Sequence, residues 1–348
     1  MGAAAPNVDI LIDGTEIPDG DFVSYVVERD MFQPDMATVV LSNQNHIYGD
    51  SSKYKVGSTL EVKVGGESKS IYKGEVVGIE GSYKGGDKTR IVFRAMNKMH
   101  RLLRKRKSIT YTEKTDQQIL QQLVGDAGLS LEWKHSTSIT YKHVYQHNQT
   151  DLEFLRTRAA RLGCHVWCVD TKIYVQEPDL SKSGGPDLSV DEGGNLRVFT
   201  PRLSSAAIVK KVTVKGWNPE TKELITGDAS AESSKLGSEP SHTASGELVA
   251  EETFTVDHPI WSAEEAKALA KARLRDLNLT YITGEAECAG SHAYELGTVV
   301  KITANANGSD RFNGKYYIMG ITHRHTLPKA KEGGFVTILK LARDAQKE

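Results

Sequence analysis

Between Val8 and Met99 apolar and polar positions alternate in short runs, VDILIDG, DFVSYVVERD, ATVVLSN, STLEVKVGG, IYKGEVVGIEG and TRIVFRAM, separated by Gly, Asp, Asn and Ser. Period-two runs between turn residues predict antiparallel strands. Gly14, Gly57, Gly65, Gly66, Gly85 and Gly86 fall where tight returns need positive φ. Strands so closely connected are expected to close into a barrel or pack as a sandwich, which removes exposed edges. Residues 1–99 read as one β domain.

After His100 the period changes. Thr115 and Gln118 predict a capped helix carrying Ile119, Leu120, Leu123 and Val124. Thr150 and Glu153 predict a second, with Leu152, Leu155, Ala159 and Leu162 on one stripe and Gly163 as its stop. CHVWCV, Asp170, Thr171 and KIYV then read as two strands around a tight turn, so residues 100–178 form a small α+β domain. Residues 179–195, DLSKSGGPDLSVDEGGN, read as a linker. From 196 to 348 the strand pattern returns, with AAIVKKVTVKGW, a turn at Asn218 and Pro219, ELVAEETFTV, YITGEAECAG, TVVKITA, GKYYIMGITHRH and FVTILKLA. One helix over 262–277 interrupts it, with Ser262 and Glu265 as a capping box and Ala266, Leu269, Ala270, Leu274 and Leu277 as its buried stripe. Residues 226–247 are too polar to offset the entropy of ordering and are expected to form a mobile loop. The expected fold class is mainly β with an α+β insertion.

Composition changes little: 348 residues, 39% hydrophobic and 26% charged, suit a soluble chain with two or three cores. A formal net charge of -1 gives the whole chain no electrostatic reason to seek nucleic acid or an anionic membrane. The start MGAAAPNVD has no basic region followed by an apolar core, Pro6 stands where myristoylation wants Ser or Thr, and no run approaches the roughly 20 apolar residues of a membrane span. The expectation is a protein made and kept in the cytoplasm, without a membrane anchor.

Candidate chemistry is sparse. His143 and His147 lie in the strand-like TYKHVYQ, where an interval of four does not bring the rings together, and His323 and His325 share a strand face without a third ligand. A structural or interface role is expected for the second pair, and no metal site. Cys164 and Cys168 are about 13 Å apart along a strand, too far to bond, and read as small core residues, while Cys288 has no partner by spacing. The run HRLLRKRK places Arg101, Arg104, Lys105, Arg106 and Lys107 close together, but it lacks interleaved aromatics and reads as a solvated or partner-facing patch. No nucleophile elbow, P-loop or dinucleotide fingerprint occurs, and Asp151 and Glu153 are explained as helix N-terminal charge, so no catalytic or cofactor-binding residue is expected.

The stretch YKHVYQHNQTDLEFLRTRAARLGCHVWCVDTKIYV, with RIVFRAMNKMHRLLRKRKSITYTEKTDQQILQQLVGDAGL before it and VTVKGWNPETKELITG, SAEEAKALAKARLRDLNLTYITGEAECAGSHAYELGTVVKI and RFNGKYYIMGITHRH after it, resembles one family. It is the hub family that includes late control protein D of contractile-tailed phages and the N-terminal hub region of type VI secretion spike proteins. The matched pieces keep family order and cover most of residues 70–345. The resemblance implies two tube-protein-like β-barrel domains flanking the small α+β domain, and a homotrimer whose six barrels form a ring. Such a ring is a baseplate hub, a structural adaptor joining a hexameric inner tube protein to a trimeric spike protein, beside wedge or other baseplate proteins. It would assemble in the bacterial cytoplasm and be carried in a phage virion, tailocin or injection particle.

In fused relatives a neck and needle follow the point where FVTILKLARDAQKE ends this sequence, so a separate spike is expected. Expected partner-interface residues are Arg101, Arg104, Lys105 and Arg106 in the basic run, and Phe312, Tyr316, His323 and His325 toward the strand ends. Two alternatives stand beside this reading: a type VI hub with its spike supplied separately, and a metal-dependent or cell-wall-degrading enzyme.

Overall fold

The computed structural model describes residues 8–64, 70–84, 89–136, 139–191, 193–256, 259–306, 308, 310–326 and 334–348. Gly65, Gly66, Gly85 and Gly86 lie outside the described residues. Gly14 and Gly57 do take positive φ, 78° and 94°.

The first region is β1 (Val8–Ile12), β2 (Thr15–Glu16), β3 (Phe22–Asp30), β4 (Met36–Ser42), β5 (Thr59–Val64), β6 (Ser70–Ser82) and β7 (Arg90–Met96). These pair antiparallel in the order β3-β4-β7-β6-β5-β1-β2. Alternation turns Tyr25, Val27, Val39, Leu41, Leu60, Val62 and Phe93 inward, and all are buried in one core.

The second region is β8 (Arg106–Thr115), α1 (Asp116–Asp126), β9 (Ser130–Lys134), β10 (Thr140–Thr150), α2 (Asp151–Arg161), β11 (His165–Val169) and β12 (Lys172–Gln176). Both expected capping boxes are present, Thr115 with Gln118 and Thr150 with Glu153. Each satisfies two of the backbone N–H groups that a helix start leaves open. Asp170 makes the turn between β11 and β12 with φ 55°. Cys164 and Cys168 are buried and free, packed in the same core as the α1 and α2 stripes.

The remaining elements are β13 (Leu188–Ser189), β14 (Leu196–Leu203), β15 (Val209–Asn218), β16 (Glu223–Ser230), β17 (Glu239–Pro240), α3 (Ser241–Ala244), β18 (Ala250–Thr255), α4 (Ala263–Asn278), β19 (Ile282–Ala289), β20 (Val299–Thr303), β21 (Gly314–Thr326), β22 (Gly334–Arg343) and β23 (Ala345–Gln346). The fold is mainly β with an α+β insertion, and in four respects it departs from what the residue pattern predicts.

First, the two β regions share one 13-stranded sheet, because β21 pairs antiparallel with β3 and continues through β22 and β19 to β14. Second, residues 196–348 hold two cores. The β14, β19–β22 strands enclose one, and a separate three-stranded sheet of β16, β15 and β18 packs Val209, Val212 and Val214 against Ala266, Leu269, Ala270 and Leu274 of α4. Third, the segment expected to be a linker is stitched down: Leu188 is buried, β13 pairs with β20, and the Gly184 N–H donates to the Val299 carbonyl.

Fourth, residues 226–247 are built into the fold. Thr226 to Ser230 continue β16, Leu236 is buried in the large core, the Ser234 hydroxyl donates to Asp344 at 2.5 Å, and Pro240 pairs with Ala345. A single buried Leu and pairing with a strand a hundred positions later supply the ordering that local composition lacks. At α4 the Ser262 hydroxyl accepts from the Glu265 N–H as expected, while the Glu265 carboxylate reaches back one residue further, to the N–H of Trp261 at 2.9 Å.

Candidate interaction surface and module junctions

The basic run sits on its own chain. Arg101 donates to Glu75 of β6, His100 Nε2 lies 2.8 Å from the same carboxylate, and an Arg104 nitrogen lies at 3.8 Å. The Arg101 guanidinium, with His100 beside it, holds the Glu75 carboxyl down to about 2 despite burial. Arg106 donates to the Asn148 carbonyl at 2.6 Å and to Glu153 at 2.9 Å, and Lys107 to Asp151 at 2.7 Å. Leu102 is buried as an anchor and Leu103 is exposed. The run is therefore first an intramolecular clamp between the first and second regions. Lys105 and the 61%-exposed Arg104 side chain keep outward-facing charge.

The other expected interface residues divide by burial. Phe312 is half-buried and its carbonyl accepts from the Tyr316 hydroxyl at 2.8 Å. Tyr316, His323 and His325 are interior, at 0%, 1% and 3% exposure. Tyr316 packs under the buried Arg343 guanidinium, 5.2 Å from ring to cation. His325 is enclosed by the rings of Phe22, Tyr25 and Phe335, and His323 packs against Thr337 and Phe335, so these three side chains offer no surface to a docking partner.

Exposed apolar groups that the sequence did not mark lie elsewhere. Trp217 and Leu224 are cross-strand partners at the end of β15 and β16, 52% and 60% exposed. Val198 on β14 and Tyr145 on β10 also face out, Tyr145 with His147 at 5.4 Å. A signal for Trp217 exists: Val212, Val214 and Gly216 occupy the inward beat of β15, which leaves Trp217 on the outward one.

Where the three regions meet, the β3–β4 turn acts as a keystone. The Met31 N–H donates to the Met319 carbonyl at 3.1 Å and the Phe32 N–H to the Val166 carbonyl at 2.7 Å. Phe32 takes φ 66°, and its ring meets His165 edge-on at 5.2 Å. His165 Nδ1 lies 3.1 Å from the Tyr317 hydroxyl. Behind the turn, burial pushes the Asp35 carboxyl up to about 6 against the pull of Arg29, 3.5 Å away. Arg29, Asp35, Tyr72, Asn97, Trp167 and His323 line a cleft of about 750 Å³ there. No cluster of three or more His, Cys, Asp or Glu side chains is arranged to hold a metal among the described residues. Among them no helix is long and apolar enough to cross a membrane.

The second junction is ionic. Arg158 of α2 pairs with Asp116 of α1, both nearly fully buried, and stacks on Tyr141 at 4.6 Å. Arg161 pairs with Glu265 of α4 at 2.8 Å, and Arg275 of α4 donates to the Gly163 carbonyl and to Glu177 at 3.2 Å.

The family model described as the Alg8 N-terminal domain matches residues 3–326. The chain belongs to that family. No curated protein matches in sequence. In fold, the chain is similar to a 43 kDa tail protein of prophage MuSo2 from Shewanella oneidensis, with a TM-score of 0.72 at 14% identity, covering 99% of this chain and 100% of that one. A tail protein from Neisseria meningitidis matches with a TM-score of 0.72 at 15% identity, covering 98% and 97%. An Escherichia coli component of the type VI secretion system, described as structurally similar to the bacteriophage T4 tail proteins gp27 and gp5, matches with a TM-score of 0.63 at 13% identity over 95% and 76%. At such identities the likeness is one of fold, and this member of the Alg8 N-terminal domain family shares the fold of phage tail and type VI secretion proteins.

Proposed function

We propose that the chain is a non-enzymatic baseplate hub of a contractile injection particle, kin to late control protein D, which trimerises and joins a hexameric inner tube to a trimeric spike. The observation that carries this reading is the end-to-end fold match to two phage tail proteins, in which nearly the whole of both chains is used. Two tube-like β regions in each of three chains would present six similar units to the tube and threefold symmetry to the spike, the property an adaptor needs. Particle assembly would begin in the bacterial cytoplasm, and the hub would travel with the tube as part of a virion or injection device. The outward Trp217–Leu224 pair, Val198 and the basic face at Arg104 and Lys105 are exposed groups that an assembly of this kind would cover.

The Escherichia coli match favours a second reading of the same class, a hub within a type VI machine. The deciding experiment is native mass by light scattering, for the chain alone and mixed with a spike protein. A trimer in either condition supports the adaptor. A monomer in both, with no complex formed, removes it.

A further inference from the structure

Three histidines, His165, His323 and His325, are buried at the contacts that hold the first β region to the rest of the chain, at 4%, 1% and 3% exposure. Their surroundings suit only the neutral ring. His323 meets the Thr337 hydroxyl at 3.1 Å, His165 meets the Tyr317 hydroxyl, and His325 is enclosed by Phe22 at 5.5 Å, Tyr25 at 5.6 Å and Phe335 at 6.1 Å. Neither nitrogen of His325 has a hydrogen-bond partner among the described residues. No carboxylate pairs with any of the three among the described residues.

We propose that these seams form an acid-operated latch, in which protonation of His165, His323 and His325 opens the β3–β21 ladder and parts the first β region from β21 and β22.

The groups facing each ring set the sign. Around His165 they are Tyr317 of β21, Arg275 of α4 and Phe32 of the keystone turn. His323 faces Arg29 of β3, Thr337 and Phe335 of β22, and His292. Tyr25 of β3 is the titratable group against His325, with Phe22 and Phe335 completing the cage. Burial first, and cationic neighbours second, hold His165 and His323 down to about 3, and burial alone lowers His325. A depressed histidine favours the closed state above its free value near 6.5, and that preference is lost as pH falls below it. Asp35 works in the opposite direction. Its raised carboxyl is protonated in the closed state below about 6 and releases that proton on opening until pH falls past about 4. His165 and His323 take up two protons against the one that Asp35 releases, and His325 adds to the uptake, so the opening constant rises by more than about tenfold per pH unit between about pH 6 and 4.

Hydrogen exchange read by mass spectrometry on the full chain tests the latch. After correction for intrinsic rates, protection of residues 22–30 and 320–326 is expected to collapse near pH 5 while α2 and β11 stay protected. Seams unchanged down to pH 4.5, or all regions lost together, would overturn the proposal. His325→Phe keeps the aromatic packing and removes one proton, so its opening should steepen only about tenfold per pH unit. An unchanged slope in that variant also overturns it. Should the variant not fold, imidazole proton shifts of the wild-type chain decide: three rings titrating between pH 7 and 5 with the seam closed contradict the latch.

Discussion

Where α2 meets α1 and α4 the chain is held by charge, through Arg158 with Asp116 and Arg161 with Glu265, both pairs stacked about Tyr141. Where β3 meets β21 it is held by a backbone ladder lined with neutral imidazoles and aromatic rings. Both junctions are largely buried and both join separate cores, yet they respond to different conditions. A buried ion pair fails when one partner is removed, because the survivor is left charged in the interior. A neutral-histidine seam fails when protons arrive. The clamp on Glu75 differs again: its depressed carboxyl contributes stability that is present above about pH 4 and lost only as pH falls toward about 2. On acidification the histidine seam should therefore open well before the Glu75 clamp releases.

The largest expected effect comes from breaking the ionic junction. Asp116→Ala should lower stability by about 3–5 kcal/mol in urea unfolding, since it leaves Arg158 unpaired, whereas Asp116→Leu combined with Arg158→Met should recover most of that loss. Equal losses in the two variants would show that packing, and not charge, holds this junction. Next is the keystone: Phe32→Ala should cost about 2 kcal/mol, less than a fully buried Phe because the ring is half-exposed. Exchange should then quicken at both Val166 and Met319, and a change confined to one side would separate the two junctions. Thr150→Ala removes the α2 cap and should cost about 1 kcal/mol by thermal unfolding, with the histidine seam's pH response unaltered. Glu75→Gln should abolish the loss of protection around residues 98–103 between about pH 4 and 2 and leave the opening near pH 5 in place. The smallest effect is expected at the surface: Arg106→Ala breaks an exposed pair with Glu153 and should leave the unfolding midpoint within error.

What could be read from residues alone follows the range of the interactions. The capping boxes at Thr115 and Thr150 were legible because donor and acceptor lie three positions apart. The separate core beneath β15 was not, since β15 takes β18 as a parallel partner and α4 as its cover, and neither is signalled by spacing. Alternation placed His323 and His325 on one face of β21, but only Phe22 and Tyr25 of β3 and Phe335 and Thr337 of β22, packed around the two rings, make that face interior. The basic run was visible as charge. Its main counter-charge, Glu75, lies 26 residues before Arg101 on another module, beyond any local pattern. Leu236 illustrates the same limit in a segment whose composition alone argues for disorder.

The β3–β21 ladder also has a direction. It runs over the facing pairs Ser24 to Asp30 and Thr326 to Gly320, with hydrogen bonds perpendicular to the strands. Traction along the strands loads those bonds simultaneously, in shear, while traction across them parts the ladder one pair at a time, as a zipper. The same seam is thus mechanically strong along one axis and weak along the other, and the axis on which a load arrives decides whether the two β regions move as one body.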